Sequence, residues 1–268
     1  MSAVVLALDT ATEQIALALG VFEGEGEAEA LRVLATRDVL APREALSSTL
    51  PLLREIFDES GLTAAQIDSV VVGRGPGSFT GVRIGVSIAK GIAHGLGVPL
   101  FGVGTLDAIA WGIAMQHEQP LVVGIIGDAM RGEVYPALFE ISPDAVRRRA
   151  PDTVGAPTAI AMEWAGSSEP LLLAGNGLRK YADIFVSAAA DGVLSIAEER
   201  FWAPSGEGLL RAFAAARLSG ETGDGDPVTL LPIYTRLSDA EENEQRLAGT
   251  TSATVPSSGV SDREGGQR

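Results

Sequence analysis

The residues able to do chemistry in this chain are concentrated in one glycine-rich stretch and two aspartate turns. Residues 73–83 place Gly73, Gly75, Gly77 and Gly81 around Pro76, with Ser78, Phe79, Thr80 and Arg83 completing the stretch. Glycines there permit positive φ and close backbone approach, Pro76 fixes the chain direction, and Ser78 or Thr80 can cap a following helix. Bare N–H groups at such a helix start could hold an anion. On physical grounds the plainer reading is a tight turn pressed against a neighbouring element. Two nucleotide motifs do not fit. No Lys-Ser or Lys-Thr closes the glycine run as a Walker loop requires, Lys90 falls well inside the expected helix, and the third glycine of a dinucleotide fingerprint is out of place.

Asp9 opens the segment Asp9-Thr10-Ala11-Thr12-Glu13, and Asp128 opens a second turn that ends at Glu133. Both aspartates read as turn-forming or helix-capping residues rather than metal ligands. The two histidines, His94 and His117, are far apart in sequence and have no partner at metal-ligand spacing. The absence of cysteine excludes disulfides and thiol nucleophiles, and no Gly-x-Ser-x-Gly elbow is present. The pairs Glu198-Glu199 and Glu241-Glu242 lie in polar surroundings that suggest solvated faces. No catalytic constellation emerges, and the isolated chain is expected to carry no cofactor or metal.

The elements that must position these residues follow from periodicity. Short apolar runs at residues 3–8, 14–21, 31–39, 68–72 and 98–103 read as strands, with an exposed acidic turn at 23–29. Runs with apolar residues every three or four positions place helices at 43–58 and 81–96. Three strands followed by alternating helices and strands imply an α/β mixed sheet with packed helices. The pattern then restarts: residues 120–127 and 133–141 form a second strand pair around Asp128, so the chain reads as two duplicated lobes. Further helices are expected at 158–164, 178–190 and 206–218, with a strand at 171–174 and a turn at Gly175-Asn176-Gly177.

With 268 residues and 46% hydrophobic content, the chain can bury one large core or two small ones. Its 35 acidic and 20 basic residues give a formal charge of -15, which repels nucleic-acid backbones and anionic membranes. The one basic cluster, Arg147-Arg148-Arg149, reads as a solvated loop. No apolar run approaches membrane-spanning length, and the N-terminus lacks the regions of a secretory signal, so the cytoplasm is the expected compartment. Beyond Tyr234 there is no aromatic residue, and residues 238–268 read as a disordered polar and acidic tail.

Residues 73–83, together with Leu6-Ala7-Leu8-Asp9-Thr10-Ala11-Thr12, resemble the bacterial TsaB (YeaZ) family of the actin, sugar kinase and Hsp70 (ASKHA) superfamily. Asp128-Ala129-Met130-Arg131-Gly132-Glu133-Val134-Tyr135 and Pro232-Ile233-Tyr234-Thr235-Arg236 extend the resemblance over about residues 3–237. It implies an actin-like fold with an N-terminal lobe at 1–104 and a C-terminal lobe at 105–237. It also implies a non-catalytic subunit in the synthesis of threonylcarbamoyladenosine in tRNA, pairing with the transferase TsaD and with TsaE, and with itself when alone. ATP and a metal would then sit on partner subunits, and tRNA would be reached through the complex. In nucleotide-binding relatives the two aspartate turns are glycine-rich. Here the first has no glycine and the second only Gly132, and both end in a carboxylate. The metal-binding histidines of TsaD align with Thr105 and Ile109, neither of which can replace them. The alternative is a stand-alone enzyme of the same fold, a nucleotide-dependent kinase or a metal-dependent, glycoprotease-like acyl transferase. A homodimeric chaperone or protease-like regulator is a third reading.

A partner surface would lie on the first two helices. Leu46, Leu50, Leu53 and Phe57 recur on one stripe, with Leu52 and Ile56 on a second. In the next helix Gly85, Ala89 and Ala93 form a small-residue face, while Ile84, Ile88 and Ile92 are expected to point into the core. Both helices could instead spend all these faces on internal packing; the resemblance assigns the Leu46 stripe and the small-residue face to the partner. Ala45 stands where the family commonly has a histidine.

Overall fold

The computed structural model describes residues 2–24, 30–189 and 193–235. The first sheet begins with β1 (Ser2–Asp9), β2 (Gln14–Glu23) and β3 (Ala30–Leu40), a meander in which β1 pairs with β2 and β2 with β3, all antiparallel. After α1 (Ala45–Ser60), β4 (Ser69–Gly73) adds parallel to β1. After α2 (Phe79–Leu96), β5 (Leu100–Val103) adds parallel to β4. The order is therefore β3-β2-β1-β4-β5. β1 and β4 occupy the middle and are covered on both faces, which is why their sequences are continuous apolar runs rather than alternating ones.

The second half repeats the plan. β6 (Leu121–Asp128), β7 (Val134–Ser142) and β8 (Ala145–Arg148) form the antiparallel part. α4 (Pro157–Ala165) leads to β9 (Leu171–Ala174), and α5 (Leu178–Ala188) to β10 (Leu194–Ile196), both strands joining in parallel. Read outward from β8, the order β8-β7-β6-β9-β10 matches the first sheet strand for strand. This is the duplicated actin-like arrangement.

The remaining helices cross over. α3 (Thr105–Ala114) follows β5 yet sets Leu106, Ile109 and Ile113 against Val123, Ile125 and Phe139 of the second sheet. α6 (Gly206–Ser219) follows β10 yet sets Leu209, Leu210 and Phe213 against Val5, Ala18 and Phe22 of the first. The two helices meet where a Cβ on Gly208 would fall 2.3 Å from the Ala108 carbonyl oxygen. The outer faces are closed by α1 and α2 on the first sheet and by α4 and α5, with Trp164 and Phe185, on the second. Each fully buried large side chain contributes about 1.5–3 kcal/mol. Helix ends are signalled locally: Ser78 and Ser205 cap α2 and α6 through Gly81 N and Gly208 N, and Gly61, Gly97 and Gly220 end α1, α2 and α6 in the left-handed region.

Sequence periodicity misses α3, β8 and β10. α3 is apolar nearly all round because it is wedged between two layers, so it shows no amphipathic stripe. The Arg147-Arg148-Arg149 cluster is not a solvated loop. Arg147 and Arg148 belong to β8, Arg148 pairs with Asp107 at 2.7 Å and Asp152 at 2.5 Å, and Arg149 pairs with Glu140 and Glu169. The expected acidic turn lies partly, and the expected tail at 238–268 wholly, outside the described residues. Among the described residues no helix is long and apolar enough to cross a membrane.

Candidate functional site

The first aspartate turn is closed upon itself. At the end of β1, Asp9 Oδ1 accepts a hydrogen bond from Ala11 N (2.5 Å), and Oδ2 accepts from the Thr105 hydroxyl (2.7 Å). Thr105 Oγ1 in turn accepts from Gly75 N (3.0 Å), and Thr105 N donates to the Gly75 carbonyl (2.9 Å). Asp9 is fully enclosed, and burial pushes its carboxyl up to about 6 against the opposing pull of Ala11 and Thr105. Thr105, where a metal-binding histidine would align, thus spends its hydroxyl joining the turn to the glycine loop. Ile109 is buried in the second-sheet core.

The glycine stretch owes its composition to the same turn. A Cβ on Gly73 would lie 1.8 Å from Asp9 Oδ2, one on Gly77 2.4 Å from the Ala11 carbonyl oxygen, and one on Gly81 2.2 Å from that of Thr10. Gly85 continues the series against Thr10 Oγ1 at 2.7 Å. The glycines at 73, 77, 81 and 85 let the β4–α2 connection and the first turns of α2 lie directly on residues 9–11. Ser78 N donates to the Ala11 carbonyl (2.7 Å) and Thr10 Oγ1 to that of Gly81 (2.7 Å). The stretch is thus built as a tight turn against a neighbouring element. The Gly75–Pro76 peptide is cis.

The second turn is tied in a parallel way. Asp128 Oδ1 accepts from Met130 N (3.0 Å), and Oδ2 is ion-paired with Lys180 of α5, whose pKa that contact raises. Asn176 in the Gly175-Asn176-Gly177 turn accepts from Asp128 N (2.9 Å) and donates to Glu13 Oε2 of the first turn (2.9 Å). Asn176 is the amide that joins the two aspartate turns, a role its sequence context does not reveal. His94 is exposed on the last turn of α2, His117 lies beyond α3, and among the described residues no group of three potential ligands is placed to hold a metal.

What stands open is a groove between α1 and α2. Its volume is about 390 Å³, and Leu46, Phe79, Thr80, Arg83, Ile84, Ser87 and Ile88 line it. Leu46 is 70% exposed, Leu50 57% and Phe79 45%. The other expected partner residues are elsewhere. Leu53 is in the core, Phe57 packs against it, and Gly85, Ala89 and Ala93 are buried. The small-residue face of α2 turns inward because only small residues allow its approach to Thr10 and the sheet. Ile84, Ile88 and Ile92, expected inside, are only half-buried.

The sequence marked residues 232–236 only as part of the resemblance and gave 225–231 no role, yet the segment 225–235 straps α2. Gly225 O accepts from Leu100 N (2.9 Å), Val228 O from Lys90 Nζ (3.3 Å) and Leu231 O from Arg74 Nε (2.6 Å), and Ile233 N donates to Arg74 O (2.8 Å). At its end Tyr234 reaches the groove, where its hydroxyl accepts from Arg83 Nε (2.9 Å) and its ring meets Phe79 at 5.8 Å.

A family model described as TsaD, tRNA N6-adenosine threonylcarbamoyltransferase, matches residues 39–242. The chain is 33% identical over 212 residues to the tRNA threonylcarbamoyladenosine biosynthesis protein TsaB of Escherichia coli, covering 74% of this chain and 87% of that protein. It is 27% identical over 197 residues to TsaB of Bacillus subtilis, covering 72% and 80%. The structure of YeaZ from Pseudomonas aeruginosa superposes with a TM-score of 0.69 at 28% identity, covering 87% of this chain and 99% of that one. With the duplicated fold, the glycine stretch seated on the Asp9 turn, and these matches along most of its length, the chain belongs to the TsaB (YeaZ) family.

Proposed function

We propose that this chain serves the formation of threonylcarbamoyladenosine in tRNA as a non-catalytic subunit. It pairs through the α1–α2 groove with a TsaD-type transferase and favours that enzyme's competent state, which requires tighter binding to the active than to the inactive form. The observation carrying this reading is the contrast between the two regions. The aspartate turns are spent inside the molecule on Ala11, Thr105, Met130 and Lys180, while Leu46, Leu50 and Phe79 stand open on one face. The metal and the transfer chemistry belong to the transferase, and ATP hydrolysis to a TsaE-type protein acting on the pair. Isolated copies pair through the same face. With a formal charge of -15, the chain meets tRNA through the assembly.

The test is heterodimer formation with the transferase, followed by size-exclusion chromatography and calorimetry. Leu46→Glu and Leu50→Glu abolish pairing and leave the melting temperature of the isolated chain nearly unchanged, because both side chains are already in water. Unaltered pairing contradicts the interface. Tight binding of ATP or a divalent metal by the isolated chain contradicts the non-catalytic assignment.

A further inference from the structure

The basic residues of this acidic chain are distributed unevenly with respect to carboxylates. Arg32, Arg37, Arg54, Arg147, Arg148, Arg149, Arg179, Lys180, Arg200 and Arg211 each hold an Asp or Glu within ion-pairing distance. Arg43, Arg74, Arg83 and Lys90 have no carboxylate partner among the described residues, although acidic residues outnumber basic ones 35 to 20. Arg43 precedes α1, Arg74 is in the glycine loop, and Arg83 and Lys90 are on α2; of the four, Arg83 lines the apolar groove.

Arg83 is also held in place. Its guanidinium carbon lies 3.6 Å from the Phe79 ring centroid, and its Nε donates to Tyr234 Oη at 2.9 Å. With Nε engaged and no partner for the two terminal amino groups among the described residues, those groups can face a ligand. A planar guanidinium in that state matches a carboxylate bidentately, and pinning it beforehand lowers the entropy lost on binding.

We propose that Arg83 is a carboxylate receptor on the partner face. The groove takes a segment of the transferase partner that carries an Asp or Glu beside apolar side chains. The apolar part fills the space between Leu46, Ile84 and Ile88, and the carboxylate is forked by Arg83. This rests on the pairing proposed above and specifies the chemistry of its partner. Charge complementarity selects this occupant. A second copy of the chain meeting face to face would set Arg83 of both copies in one interface, so self-pairing through this face is the weaker alternative and yields to the transferase. A nucleic acid would meet the repulsion of the whole molecule, and the groove itself is lined mainly by apolar side chains.

The experiment measures the dissociation constant of the full-length chain and the transferase at low and moderate salt, for wild type, Arg83→Gln, Arg83→Lys and Leu46→Glu. A charge-assisted bidentate contact predicts that Arg83→Gln weakens pairing about tenfold or more and reduces its salt dependence. Arg83→Lys recovers only part of the loss, since it restores charge without the fork. If Leu46→Glu abolishes pairing while Arg83→Gln pairs as wild type, the carboxylate receptor is overturned and the pairing stands. If neither changes pairing, the interface reading has failed and this inference with it. If Arg83→Gln leaves the transferase affinity intact but removes salt-sensitive binding of unmodified tRNA by the isolated chain, the cation serves phosphate and the inference is likewise overturned.

Discussion

Asp9 holds its proton up to about pH 6 rather than its ordinary 3.8, because burial outweighs the hydrogen bonds from Ala11 and Thr105. The folded state therefore binds that proton more tightly than the unfolded chain does. Asp9 makes stability fall as pH rises from about 4 to about 6, and above this window its ionised form costs about 3 kcal/mol. Replacing Asp9 by Asn, which keeps an acceptor for Ala11 N, flattens that part of the stability curve. Urea unfolding of both proteins at several pH values checks this, and parallel curves between pH 4 and 6 count against an enclosed acid. The Asp9 turn was recognisable from sequence as a turn. Its partner Thr105 was not, because it comes from an element 96 positions away in the chain.

At the scale of elements, the four-residue spacing of small residues on α2 is explained by packing against residues 9–11. Gly81→Ala would put a methyl group 2.2 Å from the Thr10 carbonyl oxygen, a rigid backbone atom. It should destabilise the fold by about 1–3 kcal/mol or more, as overpacking does. Gly91, with open space around it on the same helix, should accept Ala with no loss, and a differential melting experiment on the two variants reads the contrast. The same logic divides α1. Leu53→Ala costs about 2–5 kcal/mol because Leu53 is buried, whereas Leu46→Ala and Leu50→Ala are nearly neutral in the isolated chain. Apolar spacing located both helices within two residues, but it could not tell which apolar stripe faces inward. Leu46 and Leu53 share a stripe yet differ in burial, Leu53 lying in the core and Leu46 opening on the groove beside α2. A small-residue face is ambiguous in the same way, since close approach serves a neighbouring turn as well as a partner helix. Strands β8 and β10 are too short to show a period, and the strap at 225–235 has none, being held through backbone carbonyls by Arg74 and Lys90.

At the scale of the whole molecule, duplication makes two aspartate turns, and Asn176 joins them through Asp128 N on one side and Glu13 on the other. Asn176→Ala leaves a buried backbone N–H without its acceptor, and the expected loss is about 1–3 kcal/mol by urea unfolding. Glu13→Gln keeps an acceptor and should cost less. The repeated strand plan was legible from the two Asp-centred hairpins. The exchange of α3 and α6 between the sheets was not, since it is decided by which layer each helix can cover. The most direct measurement is threonylcarbamoyladenosine formation on unmodified tRNA, with the transferase and TsaE-type ATPase held fixed and this chain present or absent. Product only when the chain is present, and loss of that product with Leu46→Glu, is the predicted result; equal product without the chain would contradict the account.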